Sequence, residues 1–343
     1  VIRFFWRLYG RLYFIAIYGK QEVKKTTLYQ ILVGKHTTSV LCYAYFHDLL
    51  PYFSVLPTLE KEKFDQEIAT LVHKGYLSQD QQQVILKGEL LSNVLRTSAF
   101  QSLNYFQFGR KEEVCWRSFR FLLQVTSFLG KREQYVPLEN APIYTERVRA
   151  VTHQYGQKLP EIIYEETKDL FQTLTEDHAN LLAQALSGYQ QEGAAFFQLI
   201  PDKYEQTLWS TLYKSAAIHQ LLAQITKHPE YLLYQFLSPL LLQNYNQSML
   251  QTRELVRQGR SIEQIKKQRK LKEGTIQDHL IEWSLIDSAF PFSDFLSQDM
   301  QNVLKKMPKD SFTYPFKELT ELFEATFLEI RLYQIWRKKQ LSC

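Results

Sequence analysis

The chain has few of the residues that make turns: 12 glycines and 11 prolines in 343 positions. A many-stranded sandwich needs turn signals at short, regular intervals, so this scarcity favours long helices. Cysteine is scarcer still. Cys42, Cys115 and Cys343 are odd in number and scattered, without CxxC spacing. That argues against a disulfide framework and a structural zinc site, and it fits a reducing cytoplasm. No GxGxxG, GxxxxGKS/T or GxSxG occurs, which leaves phosphate-cradling loops and nucleophile elbows without support. None of the eight histidines has Glu, Asp or His three or four residues before it, which removes helical ExxH and HxxxH metal pairs. Long apolar runs are missing too. The N-terminal stretch through Ile15-Ala16-Ile17 is broken by Arg3, Arg7, Gly10 and Arg11. It falls far short of the ~20 residues of a spanning helix, so a first amphipathic helix is expected there rather than an anchor or targeting peptide.

What is present points to packed helices. Hydrophobic residues make up 45% and charged residues 22%, enough for a sizeable core. The 21 Tyr and 23 Phe suit gaps between helices. The net charge of +5 permits nucleic-acid binding without demanding it. Length implies two or three units at ~150 residues each. The expected fold is all-α, with a winged-helix-like unit over 1–95, a helical array over 96–245 and a helix-turn-helix domain over 246–343.

In the first segment, Leu28, Ile31 and Leu32 share a helical face, and 39–53 reads as a second apolar helix ended near Pro51. A third opens after Thr58 with Phe64, Ile68, Leu71 and Val72 as its buried stripe, and Gly75 stops it. Tyr76-Leu77 and Val84-Ile85-Leu86 read as strands of a small hairpin. Three helices and a hairpin follow winged-helix order. The third helix is acidic as well as basic, and the wing tip has no cation, so partner contact or scaffolding is expected here over DNA contact.

The middle segment shows helical stripes such as Trp209, Leu212, Tyr213 and Ala216, without Arg or Lys interleaved, so core packing is expected over base stacking. Thr175 followed by Glu176-Asp177-His178 reads as the acidic first turn of a capped helix. Glu161, Glu165 and Glu166 read as a solvated helix face.

The most informative stretch is 247–284. Ser248 with Gln251, and Ser261 with Gln264, have capping-box spacing. A first helix is expected over 248–258, closed by Gly259, a second over 262–268 and a third from about Thr275. Leu255, Ile262, Ile265, Ile276 and Leu280 supply the small core of this helix-turn-helix. Arg257, Arg260, Lys266, Lys267, Arg269, Lys270 and Lys272 form the densest cationic cluster of the chain, suited to phosphate contact. Thr275 and Gln277 are candidates to approach bases. Against that, helical geometry turns Gly274, Asp278, Ile281 and Glu282 outward, and two carboxylates there would repel phosphate. Both DNA contact and pure protein contact therefore stay open. Farther on, Phe316, Leu319, Leu322, Phe323, Phe327, Ile330 and Tyr333 form a helical stripe, and Arg337-Lys338-Lys339 suits the end of its helix.

The run Thr252-x-x-Leu255, Gly259-x-Ser261-Ile262-x-x-Ile265, Arg269-x-Leu271-Lys272, Thr275-Ile276-x-x-His279-Leu280 resembles the helicase-associated helix-turn-helix domain. That domain ends some RecQ-type helicases and the YpbB-like proteins of Firmicutes, to which Thr26–Lys35 with Tyr52-Phe53, and Phe327–Leu332, are also similar. Ser284-Leu285-Ile286 replaces a glycine common in the family after the third helix. The resemblance implies a cytoplasmic accessory protein of a RecQ-type helicase, binding the helicase, DNA or both. A dimeric transcription regulator and a purely protein-binding helical scaffold are the alternatives. No catalytic residue, cofactor, metal, membrane or small-molecule substrate is expected.

Overall fold

The computed structural model describes residues 23–75, 77–80, 83–86, 99–131, 133–205, 207–304, 307–308, 310–322 and 325–341. The expected N-terminal amphipathic helix, Tyr76, the hairpin tip at 81–82, Phe323 and Cys343 lie outside the described residues. In chain order, strand β1 (Val23–Lys24) leads into α1 (Lys25–Val33), α2 (Thr38–Phe46) and α3 (Lys61–His73), then β2 (Leu77–Asp80) and β3 (Gln83–Leu86). A π-helical turn (Tyr105–Gly109) precedes α4 (Glu112–Phe128), α5 (Pro142–Tyr155), α6 (Leu159–Gln172) and α7 (Glu176–Gln184). Next come α8 (Phe196–Leu199), α9 (Thr207–Ile225), α10 (Leu232–Leu241), α11 (Gln247–Arg257) and α12 (Ile262–Arg269). The last are α13 (Glu273–Ile286), α14 (Gln298–Leu304), α15 (Phe316–Leu322) and α16 (Phe327–Leu341).

The molecule is mostly helical, as its scarcity of turn residues implied. The three strands form one antiparallel sheet ordered β1-β3-β2, with Val23 opposite Val84 and Leu77 opposite Leu86. The chain folds into two compact units. One comprises Val1–Lys25 and Thr58–Asn244; the other joins Thr26–Pro57 to Tyr245–Cys343. The elements expected to make a winged-helix-like unit over 1–95 do follow that order, but they are divided. Nearly all of α1 and the whole of α2 belong with the C-terminal segment, whereas α3 and the sheet belong with the middle one.

In the first unit α9 buries most of its surface: Trp209, Leu212, Tyr213, Ala216, Ala217, Ile218, Leu221, Leu222 and Ile225 are all 3% exposed or less. The stripe read from sequence is therefore core, and no ring of it is left to stack a base. Helix α4 packs against α5, α6, α9 and α10 through Cys115, Trp116, Phe119 and Leu122. Glu166 corrects its expected place on a solvated face. Its two carboxylate oxygens accept from the backbone N–H groups of Leu232 and Leu233 at 2.7 and 2.9 Å, capping α10 from another helix. Burial raises its pKa, and those two amides oppose the rise. Glu165 keeps the expected exposure and pairs with Lys168. A mainly apolar groove of about 740 Å³, lined by Leu123, Ile163, Tyr164, Phe171 and Leu186 among others, opens between α4 and α6.

The second unit is built around α13. From His279 to Leu285 every residue of α13 is buried, because α11, α16 and α2 all pack on it. This overturns the outward placement of Ile281 and Glu282. The amphipathic rule that turned them outward assumes one covered face, and here a second face is covered by α2, from a remote part of the sequence. The basic end of α16 also serves a helix other than its own. Lys338 donates to the carbonyls of Tyr45 and Phe46 at 2.6 and 2.9 Å and to Asp48 at 2.7 Å, satisfying the C-terminus of α2. Lys339 donates to the Asp287 carbonyl at 2.6 Å.

Candidate nucleic-acid interface

Helices α11, α12 and α13 form the expected tri-helical unit. Gly259, at φ +76, closes α11: its N–H donates to the Val256 carbonyl at 2.8 Å and the Arg260 N–H to the Leu255 carbonyl at 3.0 Å. These are the two bonds of a Schellman motif, and a residue with a Cβ pays to adopt that φ. The Ser261 box forms as expected, with Gln264 N donating to Ser261 Oγ and Ser261 N to Gln264 Oε1. The Ser248 box does not form. Asn246 caps α11 instead, its Oδ1 accepting from the N–H groups of Ser248 and Met249 at 3.0 and 3.3 Å. An Asn just before the helical run was the available signal. Ile265, Ile276 and Leu280 are fully buried, while Leu255 and Ile262 are only half-buried. Met249, Thr252 and His279, not foreseen as core, complete the contact.

The seven candidate cations divide into two sets. Lys266 bonds Glu263 and Glu273 at 2.7 and 3.1 Å, which raises its pKa and neutralises its charge locally. Arg257 pairs with Asp287 at 2.9 Å and lies over the Trp283 ring. Arg269 turns inward, donating to the Ser248 carbonyl at 2.6 Å, Ser248 Oγ at 2.8 Å, Gln251 Oε1 at 3.0 Å and Thr252 Oγ1. Arg260, Lys267, Lys270 and Lys272 are exposed and make no ion pair among the described residues. Lys270 holds a left-handed conformation at φ 53, and Lys272 is the N-cap of α13 without any side-chain cap. Thr275 and Gln277 are half-buried on the first turns of α13. Asp278 is exposed as expected and accepts a hydrogen bond from Thr38 Oγ1. Glu282 is buried, facing Asn246 Nδ2 at 3.2 Å and His36 at 3.3 Å.

Residues 248–334 match a family described as a helix-turn-helix domain. The chain is also similar to Protein YpbB of Bacillus subtilis (strain 168), 25% identical over 226 residues. That covers 64% of this chain and 64% of the relative, so the match spans a little less than two thirds of the relative's length. No solved structure is significantly similar. The domain match takes in α11 to α15 and half of α16, but not α1 and α2, which complete the same compact unit.

Elsewhere the polar groups serve the fold. Burial pushes the thiols of Cys42 and Cys115 up to about 12, so neither supplies a thiolate near neutral pH. Thr175 precedes α7 with Glu176 and Asp177 in its first turn, as expected, but its hydroxyl makes no cap bond and donates to Gln220 instead, and His178 is buried against Gln220 and the Ala99 carbonyl. Among the described residues no group of three or more His, Cys, Asp or Glu is placed to hold a metal, and no helix is long and apolar enough to cross a membrane.

His279 makes the helix-turn-helix sensitive to pH. The Thr252 hydroxyl accepts from Arg269, whose guanidinium only donates, and shares a second hydrogen bond with His279 Nδ1, 2.8 Å away. Burial lowers the His279 pKa from 6.5, and Arg269 lowers it further. The unfolded chain therefore takes up a proton at a pH where the native chain still refuses it. Stability is complete above about 6.5 and is lost as pH falls toward the depressed native value. His47 and His178 are shifted the same way, first by burial. The isolating measurement is denaturant unfolding at neutral and mildly acid pH for the wild type and His279→Asn. The variant is expected to lose less stability on acidification, and equal losses would refute the assignment.

Proposed function

We propose that the chain is a non-enzymatic accessory protein that binds DNA through α11–α13 and works beside a RecQ-type helicase, in DNA repair. The observation that carries the DNA half is the turn between α12 and α13. Lys270 and Lys272 stand exposed there and Lys267 on the last turn of α12, all unpaired with any described carboxylate. Lys270 and Lys272 lead directly into a helix whose first amides lack intrahelical partners and have no side-chain cap. Cations and free helix N–H groups together are what a phosphate needs. Lys270 adds a second argument. A lysine in the left-handed region costs about 1 kcal/mol where glycine would cost less, and such outliers concentrate at functional sites.

The helicase half rests on the resemblance of 252–280 to the helicase-associated helix-turn-helix domain and on the similarity to YpbB. Phosphate contact is favoured over sequence-specific regulation because α13 is buried from His279 onward, which leaves only its first turns to reach base edges. The test is a titration of single-stranded, duplex and forked DNA at about 50 and 200 mM salt, with and without the helicase. Binding that falls at least tenfold between those salts, with co-elution of the helicase, is the expected result. No shift at the lower salt and no co-elution would overturn the reading.

A further inference from the structure

Two side chains bracket the lysine-bearing turn, and both end on one hydroxyl. Arg269 is the last residue of α12, directly before Lys270. Its guanidinium spends four hydrogen bonds on Ser248, Gln251 and Thr252 of α11. On the other side of the turn, His279 of α13 bonds the same Thr252 Oγ1. Residues 270–272 therefore run between two anchors fixed to a single buried residue, Thr252, which is 1% exposed.

We propose that Arg269 is a positioning residue of the DNA site: it contacts no phosphate, and it sets Lys270 and Lys272 by fixing the end of α12 to α11. The proposal rests on the DNA-binding reading above. It removes Arg269 from the set of phosphate contacts that its charge alone suggests. A phosphate contact needs only a cation in reach, which lysine also supplies. The clamp needs a planar fork that serves four acceptors on three residues at once, which a single ammonium at the end of a flexible stem does not reproduce.

The experiment compares Arg269→Lys and Arg269→Gln in the full-length protein, each also made in a Lys270→Gln/Lys272→Gln background. A short fluorescent duplex at low salt is the probe, at a temperature where every variant is folded by circular dichroism. A positioning role predicts that Lys and Gln at 269 weaken binding alike, by about tenfold, and that the loss shrinks to less than about twofold in the double-lysine background, because a residue that acts through others couples to them. Recovery of wild-type affinity by Arg269→Lys would overturn the proposal, as would a full-sized loss in that background, which marks an independent phosphate contact. Unchanged affinity in both variants would overturn it as well, leaving Arg269 merely structural. Thermal unfolding reads the clamp without DNA: both variants are expected to melt at least about 5 °C lower. If the wild type binds no DNA, the DNA reading fails, and the clamp still stands or falls on that shift.

Discussion

Changing Lys267, Lys270 and Lys272 together to glutamine is expected to weaken DNA binding at about 50 mM salt by on the order of a hundredfold, and to flatten its salt dependence. Each cation that meets a phosphate on duplex DNA releases counterions worth about 0.9 in the slope of log K against log salt, so three contacts carry a slope of about 2.7. Raising salt from about 50 to 200 mM then costs these contacts roughly fortyfold, a loss that the variant should not show. Stability is the control. All three side chains are exposed and unpaired, and surface changes of that kind move stability by about 0.5 kcal/mol or less. A variant that melts like the wild type and keeps its salt slope would show that these lysines meet no phosphate. A variant that loses its fold would contradict the exposed placement of their side chains.

The local features of this site were legible in the sequence because they are made by neighbours in the chain. Gly259 as a stop, Ser261 with Gln264 as a start, and Ile265, Ile276 and Leu280 as the inward positions all depend on contacts within a few turns of one another. What was not legible depends on distance or on geometry finer than composition. Charge counting treats Arg269 and Lys270 as equals, yet one guanidinium is turned into α11 and its neighbour's ammonium is in solvent. Lys266 was counted as free although Glu263 lies three residues before it on α12, and Glu273 reaches it from α13 across the turn. Glu166 looked solvated because the helix it caps begins 66 residues later.

The same distinction explains the outer face of α13. Its sequence carries an inward stripe at Ile276 and Leu280, which local periodicity finds. The burial of the rest of α13 comes from α11, α2 and α16 packing on it together, and no periodicity within α13 announces the arrival of a helix more than two hundred residues earlier in the chain. The low-charge, strongly apolar composition of α2 was the one available hint: Val40, Leu41, Cys42 and Ala44 are all buried. A helix without a polar face must be covered on more than one side.

It follows that the helix-turn-helix should not fold when cut out at its sequence boundaries. A fragment of residues 245–343 lacks α1 and α2, and with them the Thr38 bond to Asp278 and the packing of Phe46 on Phe312. It also removes the Tyr45, Phe46 and Asp48 oxygens to which Lys338 donates in the intact protein. Each Val, Leu or Ile removed from a buried site forfeits about 1.5–3 kcal/mol, and Leu28, Ile31, Leu32, Val40 and Leu41 are all lost at once. Together these five sites forfeit about 7.5–15 kcal/mol, as much as the ~5–15 kcal/mol by which a domain is ordinarily stable. The fragment is expected to show reduced helicity and no cooperative thermal transition by circular dichroism. Fusing residues 26–57 to it through a flexible linker should restore both, because those residues complete the compact unit. A fragment that melts cooperatively near the temperature of the fused version would mean that α1 and α2 are an accessory layer, and that the tri-helical unit stabilises its own charged turn.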